Sequence, residues 1–220
     1  MNETDIDQFM TIMEKVYTAW PAPAITIAAQ KGVTPFQILV ATLISLRTRD
    51  SVTGKAAENL FKEAVTPEEM IKLGSQRIAR LIHPASFSPT KAKRMVTISH
   101  ILLDNYKGRV PDSMDALLAL PGVGRKTANL VLVEAFGKQG ICVDTHVHRI
   151  SNRTGYISSR TPEQTEMALR KKLPPKYWKP YPEILVIFGQ KICKPQVPQC
   201  LKCPVSLFCQ TWQNQGTPAA

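Results

Sequence analysis

Hydrophobic residues recur at helical spacing along almost the whole chain. Within residues 5–17, Phe9, Ile12, Met13 and Val16 fall on one face of a helix. This spacing is typical of an amphipathic helix with one buried side. No persistent alternation of apolar and polar residues is present, so the pattern predicts an all-α protein.

Capping residues and prolines mark where the predicted helices begin. Thr34-Pro35 and Thr66-Pro67 each combine an N-cap hydroxyl with a proline at the first helical position, where the missing N–H has no cost. These two helices therefore open at Pro35 and Pro67, and another opens at Asp50 or Ser51. The remaining predicted helices run over residues 5–17, 76–82, 90–106, 113–120, 125–136, 144–154, 162–172 and 182–192.

A glycine turn separates two of these helices. Ala116–Leu120 ends one helix, Pro121–Gly124 forms the turn, and Arg125–Phe136 is the next helix. Such a turn can present backbone N–H groups to a phosphate. Arg125 and Lys126 would lie in the first helical turn, where the helix dipole disfavours cations. Cations that are placed against this preference indicate a functional position.

The charge balance fits an anionic partner. The chain has 28 Lys and Arg against 17 Asp and Glu, a formal net charge of +11. This is the electrostatic footprint of a nucleic-acid binder, although charge alone fits a generally basic protein equally well. The acidic start, Met1–Asp5, lacks the pattern of a secretory signal, and the apolar run Ile38–Leu46 is too short to span a membrane. We expect a monomeric cytoplasmic protein, associated with the nucleoid if it is bacterial or archaeal.

Most of the cysteines lie close together near the end of the chain. They are Cys193, Cys200, Cys203 and Cys209, with six, two and five residues between them. Four thiolates in so short a segment suit a metal centre, and a disulfide framework is improbable in the cytosol. The spacing alone fits a structural zinc and a four-iron cluster equally well. Cys142, flanked by apolar residues, is expected to be a small buried residue.

A second motif, Val143-Asp144-Thr145-His146, places Asp144 eighteen residues after Lys126. The pair Lys126 and Asp144 suggests an amine nucleophile with a carboxylate partner. Taken alone, Lys126 also fits an ordinary phosphate contact, and Asp144 fits an N-cap of the helix that begins at Thr145. His146 and His148 are two residues apart and would lie on different helix faces, so a paired metal site is not expected.

Taken together, Leu120–Ala128, Val143–His146 and the four-cysteine loop resemble the endonuclease III family of DNA glycosylases, in the helix-hairpin-helix superfamily. The resemblance extends to Pro35–Asp50 and Lys91–Met95. It implies a bilobal all-α fold with a [4Fe-4S] cluster on the four cysteines. Its partner would be double-stranded DNA that contains damaged bases or abasic sites and lies across the cleft between the lobes.

The domain limits follow from the same resemblance. A six-helix domain with the helix-hairpin-helix motif is expected over residues 28–138. Residues 1–27 and 139–220 would form the second helical domain, which carries the cluster loop.

The resemblance also implies the chemistry of a bifunctional enzyme. A base inside a duplex cannot be reached, so the nucleotide must be flipped into a pocket. Lys126 would attack the sugar C1′, expel the base and form a Schiff base that permits β-elimination. Asp144 would accept a proton and stabilise the cationic sugar. The residues expected to contact DNA are Gly122, Val123, Gly124, Arg125, Arg47, Phe87 and His146.

Three departures from the family pattern bear on lesion preference. Arg47 stands where many relatives have glutamine, in the segment that fills the space left by the flipped nucleotide. Ala85–Pro89, with Phe87 at its centre, replaces a segment that usually contains glycine and tyrosine. Leu118 replaces a common acidic residue before the hairpin. These changes leave the preferred lesion and the opposite base undetermined.

Two other functions fit parts of the pattern. One is a monofunctional mismatch glycosylase of the same superfamily, although such relatives usually have tyrosine or serine at the position of Lys126. The other is a non-catalytic helix-hairpin-helix DNA-binding protein with a structural cluster. Such a protein would be expected to lack Lys126 or Asp144, and both are present. The favoured interpretation is therefore a glycosylase and AP lyase that acts on oxidised pyrimidines.

Overall fold

The structure, a computed structural model, describes residues 3–214, with side chains from residue 5 onward. Every regular element in this range is a helix, which confirms the predicted all-α fold class. The α-helices are α1 (Glu3–Tyr17), α2 (Ala24–Gln30), α3 (Pro35–Ser45), α4 (Asp50–Phe61), α5 (Pro67–Leu81), α6 (Ser88–Tyr106), α7 (Met114–Leu118), α8 (Arg125–Phe136), α9 (Thr145–Arg153), α10 (Pro162–Lys172), α11 (Pro180–Lys191) and α12 (Gln210–Asn214). Short 3₁₀ turns lie at Pro175–Tyr177, Cys200–Lys202 and Ser206–Phe208. Among these described helices, none has the length and apolar character needed to cross a membrane.

The chain divides into two compact units, each with its own hydrophobic core. One unit is Pro23–Gly140 and contains α2 to α8. The other joins Met1–Ala22 to Ile141–Ala220 and contains α1 and α9 to α12. The functional domains expected over residues 28–138 and over residues 1–27 plus 139–220 stay a prediction. Residues 1–2 and 215–220 of the second domain lie outside the described residues.

Helix α3 lies at the centre of the core of the unit Pro23–Gly140. Its start is fixed by a capping box, in which Thr34 Oγ1 accepts the N–H of Gln37 at 3.3 Å. In return, Gln37 Oε1 accepts the N–H of Thr34 at 2.9 Å. Eight residues of α3 between Phe36 and Ile44 are buried. Because α3 is apolar on all sides, it packs against α2, α4, α6 and α8.

The sequence predicts two successive helices between Pro67 and Ile82, and the structure confirms a break within the helical run Pro67–Leu81. The run is bent at Gly74, whose φ of 73° and ψ of 157° are not helical and are accessible to glycine. One helix differs from the sequence prediction, since α2 (Ala24–Gln30) is not among the predicted helices. Pro23 is the N-cap of α2.

A lysine is buried where α6 packs against the C-terminal end of α3. Lys91 has only 4% of its surface exposed. Its Nζ donates to the carbonyl oxygen of Ile44 at 2.6 Å and to Thr48 Oγ1 at 2.8 Å. The Ile44 carbonyl is one of those that lack a helical partner at the end of α3, so the ammonium group caps this helix. Burial lowers the pKa of Lys91 to about 8, because removal from water disfavours the charged form.

In the unit that contains α1 and α9 to α12, helix α9 packs between two other helices. Helix α11 packs against α1 and α9, and α9 also packs against α10. The ring centroids of Phe9 on α1 and Tyr181 on α11 are 6.4 Å apart. The buried hydroxyl of Tyr181 lies 2.9 Å from Ser151 Oγ on α9, so this polar group keeps a partner inside the core. The start of α9, where Asp144 lies, is thereby attached to a well-packed helix.

We expect the burial of Lys91 to make stability depend on pH. In the unfolded chain this lysine stays protonated up to its ordinary pKa of 10.5, whereas in the folded protein the pKa is about 8. Between these values the unfolded state binds more protons, so stability rises with pH. Compared with Lys91→Met, the wild-type free energy of unfolding should increase by about 2 kcal/mol from about pH 7 to about pH 9.5. Urea denaturation of both proteins measures the difference, and parallel stability curves would contradict the prediction.

Candidate active site and cysteine cavity

The predicted helix hairpin consists of α7, a glycine turn and α8. Ser113 caps α7, since its Oγ accepts the N–H of Ala116 at 3.4 Å. In the turn, the N–H of Val123 donates to the carbonyl oxygen of Leu120 at 3.1 Å. This bond uses the Val123 N–H internally, while the N–H groups in the first turn of α8 have no partner within that helix. Gly124, the N-cap of α8, has no side chain that could cap them.

A cation from α6 lies against this turn. Gly122 has a φ of 80°, a left-handed value that favours glycine. A Cβ atom at Gly122 would lie 2.8 Å from Cδ of Arg94. The Arg94 side chain therefore occupies the space that a larger residue would need. Arg94 joins Arg125 and Lys126 as a third cation at the hairpin, and the sequence pattern did not identify it.

Lys126 is the second residue of α8 and is half-buried. The carboxyl group of Asp50, in the same unit, is close enough to interact electrostatically with Lys126. Asp50, at the start of α4, accepts the N–H of Ala24 at 2.9 Å through Oδ2. Burial raises the pKa of Asp50, while the Ala24 N–H and the charge of Lys126 oppose that rise. The sequence identified Asp50 only as a helix start, because its contact with α2 joins residues 26 positions apart.

Two of the residues expected to contact DNA, Arg47 and Phe87, lie together. Arg47 follows α3 and Phe87 precedes α6. The guanidinium carbon of Arg47 is 5.9 Å from the centroid of the Phe87 ring, and 60% of the Phe87 surface is exposed. Their φ values are 55° and 58°, in the left-handed region that residues with side chains rarely adopt. The cation and the aromatic ring thus form one exposed tip, which we call the wedge.

Asp144 is the N-cap of α9, as its local sequence predicts. Its Oδ1 accepts the N–H of His146 at 2.8 Å and the N–H of Val147 at 2.9 Å. Because both bonds end on one oxygen, the amide oxygen of an asparagine could replace it in the cap. The cap and any proton-accepting role of Asp144 can therefore be separated by substitution.

Arg149 connects α9 to the end of α11. Its Nη2 lies 3.0 Å from His146 Nδ1 and donates to the carbonyl oxygen of Cys193 at 2.7 Å. His146 is thus engaged inside its own unit, and its expected contact with DNA stays a prediction. His148 turns toward α10, where its Nδ1 lies 2.6 Å from Thr165 Oγ1. The imidazole of His146 thus contacts a residue of α9, whereas that of His148 contacts a residue of α10.

The four cysteines predicted to bind metal line one cavity of about 170 Å³. Burial and the neighbouring thiols raise the pKa of Cys203 to about 11, and burial also raises the pKa of Cys209. The protonated thiols are therefore favoured until a cation displaces the protons. The apolar part of the wall is formed by Ile150, Phe188, Ile192, Val205 and Trp212.

N–H donors face the sulfur atoms of this cavity. Arg153 Nη1 lies 3.4 Å from Cys193 Sγ and donates to the carbonyl oxygen of Lys194 at 2.7 Å. The backbone N–H of Val205 donates to the sulfur of Cys203. Donors of this kind stabilise thiolate ligands. Among the described residues, no three His, Cys, Asp or Glu side chains converge closely enough to hold a single metal ion.

Cys142 lies outside the cavity and is half-buried. The expectation that it is buried is wrong. Its neighbours Ile141 and Val143 are both buried. Successive side chains of an extended segment point to opposite sides, so the position between two core residues faces away from the core.

Comparison with protein families gives a match over residues 40–175 to the HhH-GPD superfamily of base excision DNA repair proteins. This range contains the wedge, the hairpin and Asp144, whereas the four cysteines lie beyond it. The chain is also similar to endonuclease III of Thermotoga maritima. The two are 48% identical over 186 residues, which cover 84% of this chain and 87% of the relative.

Two solved structures are similar over nearly the whole chain. One is a non-covalent endonuclease III–DNA complex, with a TM-score of 0.86 and 31% identity over 98% of both chains. The other is a trapped endonuclease III–DNA covalent intermediate, an estranged-adenine complex. It has a TM-score of 0.85 and 30% identity, and covers 98% of this chain and 99% of that chain. The similarity therefore extends beyond the hairpin to the segment that carries the four cysteines.

Proposed function

The chain belongs to the endonuclease III family of HhH-GPD base excision DNA repair proteins, and we propose that it acts on oxidised pyrimidines through Lys126. It is a DNA glycosylase and AP lyase whose partner is duplex DNA with damaged bases or abasic sites. One observation carries the assignment to this residue. Lys126 is a half-buried amine at the start of α8, directly after the glycine turn of the hairpin.

The damaged nucleotide must leave the base stack before Lys126 can reach its sugar. Arg47 and Phe87 are suited to occupy the vacated space. An arginine can donate several hydrogen bonds to the base left without a partner, and an aromatic ring can wedge between base steps. Both side chains are exposed and lie side by side. Arg94 and Arg125 supply positive charge at the hairpin, where the phosphate backbone would bind.

Lys126 is the nucleophile. Its Nζ lone pair forms a bond to the sugar C1′ while the bond from C1′ to the base breaks and the base leaves with the electron pair. Loss of a proton from nitrogen and opening of the sugar ring give a Schiff base, which permits elimination of the phosphate on the 3′ side. A lysine is almost entirely protonated at neutral pH, so it must first lose a proton.

Asp144 is the proton acceptor. A carboxylate favours a positively charged sugar in the transition state and can accept the proton that the amine releases. Its attachment at the start of α9 through two backbone hydrogen bonds, at 2.8 Å and 2.9 Å, limits its motion. A fixed charge stabilises a transition state without reorganisation during the reaction.

The four cysteines fit a [4Fe-4S] cluster. Such a cluster takes one thiolate on each of four irons and fills the space between them. The chain offers four thiols around a cavity of about 170 Å³, with Arg153 close to one sulfur. When bound, the cluster would supply the positive charge that the buried thiolates need. Arg149 and Arg153 join this region to α9, so we assign the cluster a structural role in holding the helix that begins beside Asp144.

Lys126→Ala should abolish Schiff-base chemistry. Borohydride trapping and strand cleavage should fall by at least about 10³-fold, because no amine remains to form the imine. Binding to the duplex should survive, since other cations hold the phosphates. The matched control is Lys55→Ala, which removes an exposed lysine on α4 and should leave trapping intact. Undiminished trapping by Lys126→Ala would refute the assignment, and base release by the wild type without trapping would favour a monofunctional glycosylase.

Asp144→Asn should slow base release while it preserves the fold. Single-turnover release should fall by roughly 10²-fold, the range expected when a general base is lost. The melting temperature should stay close to that of the wild type, because asparagine caps a helix about as well as aspartate. Asp144→Ala should slow base release and also remove the helix cap, which costs about 1 kcal/mol of stability. If release by Asp144→Asn equals that of the wild type, Asp144 acts only as a cap.

Protein purified without oxygen should contain about four irons per chain and absorb visible light broadly, as expected for a cluster on four thiolates. Cys203→Ser should lose most of the iron. Cys142→Ser is the control and should retain it, because Cys142 does not line the cavity. A colourless preparation with one zinc per chain would overturn the cluster assignment.

A further inference from the structure

The two wedge residues have a shared support behind them. Arg47 and Phe87 both have left-handed backbone conformations, which cost energy for residues with side chains and persist only where the surroundings enforce them. They come from loops that are forty residues apart in the chain. Something in the fold must therefore hold both loops in this unusual geometry.

A partly buried hydrogen-bond network joins the residues next to the wedge. Thr48, which follows Arg47, accepts the backbone N–H of Ser86 at 3.1 Å through Oγ1. Ser86 directly precedes Phe87. The same Oγ1 accepts a hydrogen bond from Lys91 Nζ at 2.8 Å. One hydroxyl group therefore connects the two loops at the positions adjacent to the wedge.

Lys91 attaches this hydroxyl to the core. Its ammonium group also donates to the carbonyl oxygen of Ile44 at 2.6 Å, at the end of α3. With 4% of its surface exposed, Lys91 is too buried to contact a phosphate directly. A contact with DNA therefore does not offset the free energy that it costs to bury this charge. The hydrogen bonds of Lys91 are instead directed to the two loops and to α3. We call Lys91, Thr48 and the Ser86 N–H the clamp.

We propose that the clamp is a positioning device that makes Arg47 and Phe87 enter the DNA as one rigid unit, and so determines how well the enzyme opens a paired duplex. This inference rests on the wedge role given to these residues in the proposed function. The clamp residues do not take part in bond making. Loss of the clamp should weaken flipping of a stacked nucleotide and leave the chemistry at Lys126 intact.

Thr48 offers a matched pair of variants. Thr48→Val removes the hydroxyl at similar volume, whereas Thr48→Ser keeps it. Single-turnover excision of an oxidised pyrimidine from duplex DNA should fall by roughly tenfold in Thr48→Val, as expected when positioning groups are misplaced. Thr48→Ser should stay near the wild type. Fluorescence of 2-aminopurine beside the lesion, which reports base unstacking, should fall in the valine variant alone.

A second substrate separates positioning from general damage to the fold. An abasic site in single-stranded DNA requires no base to be unstacked from a duplex, so borohydride trapping on it should be the same in wild type, Thr48→Val and Thr48→Ser. If Thr48→Val does not fold, Lys91→Met removes the other half of the clamp and carries the same expectations. Equal duplex excision by the valine and serine variants, or a parallel loss on both substrates, would overturn the clamp.

A combined variant tests whether the clamp acts through the wedge residues. If it does, adding Thr48→Val to the double variant Arg47→Ala with Phe87→Ala should not slow excision from duplex DNA any further. Additive losses would contradict this. A wild-type enzyme that traps on neither substrate would refute the proposed function itself. Normal wild-type trapping with no difference between the Thr48 variants would refute the clamp alone.

Discussion

The position of Lys126 depends on the left-handed turn at Gly122. This glycine has a φ of 80°, and the side chain of the exposed Arg94 lies against it, 2.8 Å from where a Cβ atom would be. The positive φ favours glycine at this position, because residues with side chains rarely adopt it. The turn leads directly into α8, which packs against the central helix α3. One backbone constraint therefore links Lys126, the proposed nucleophile, to a surface cation and to the hydrophobic core.

The positive charge of the protein is used in two ways. A net charge of +11 suggests a uniformly cationic DNA surface, yet several cations are directed inward. Lys91 is buried and binds neutral oxygens, and Arg149 and Arg153 bind carbonyl groups around Cys193 and Lys194. Arg47 is exposed. Net charge therefore indicates the class of partner, while the hydrogen-bond partners of each cation indicate its function.

The sequence predicts those features whose physical cause is local. The N-cap at Thr34 and the cysteine spacing involve neighbours in the chain, so they can be recognised without a structure. The contacts that support the site join distant residues. Lys91 and Thr48 are 43 positions apart, and each looks like an ordinary polar residue in its own segment.

The most direct test of the account identifies the residue that becomes attached to DNA. Wild-type protein is incubated with a duplex carrying one oxidised pyrimidine, reduced with borohydride and digested, and the DNA-linked peptide is sequenced by mass spectrometry. The account predicts a single adduct on Nζ of Lys126. An adduct on another amine, or base release without any adduct, would contradict it.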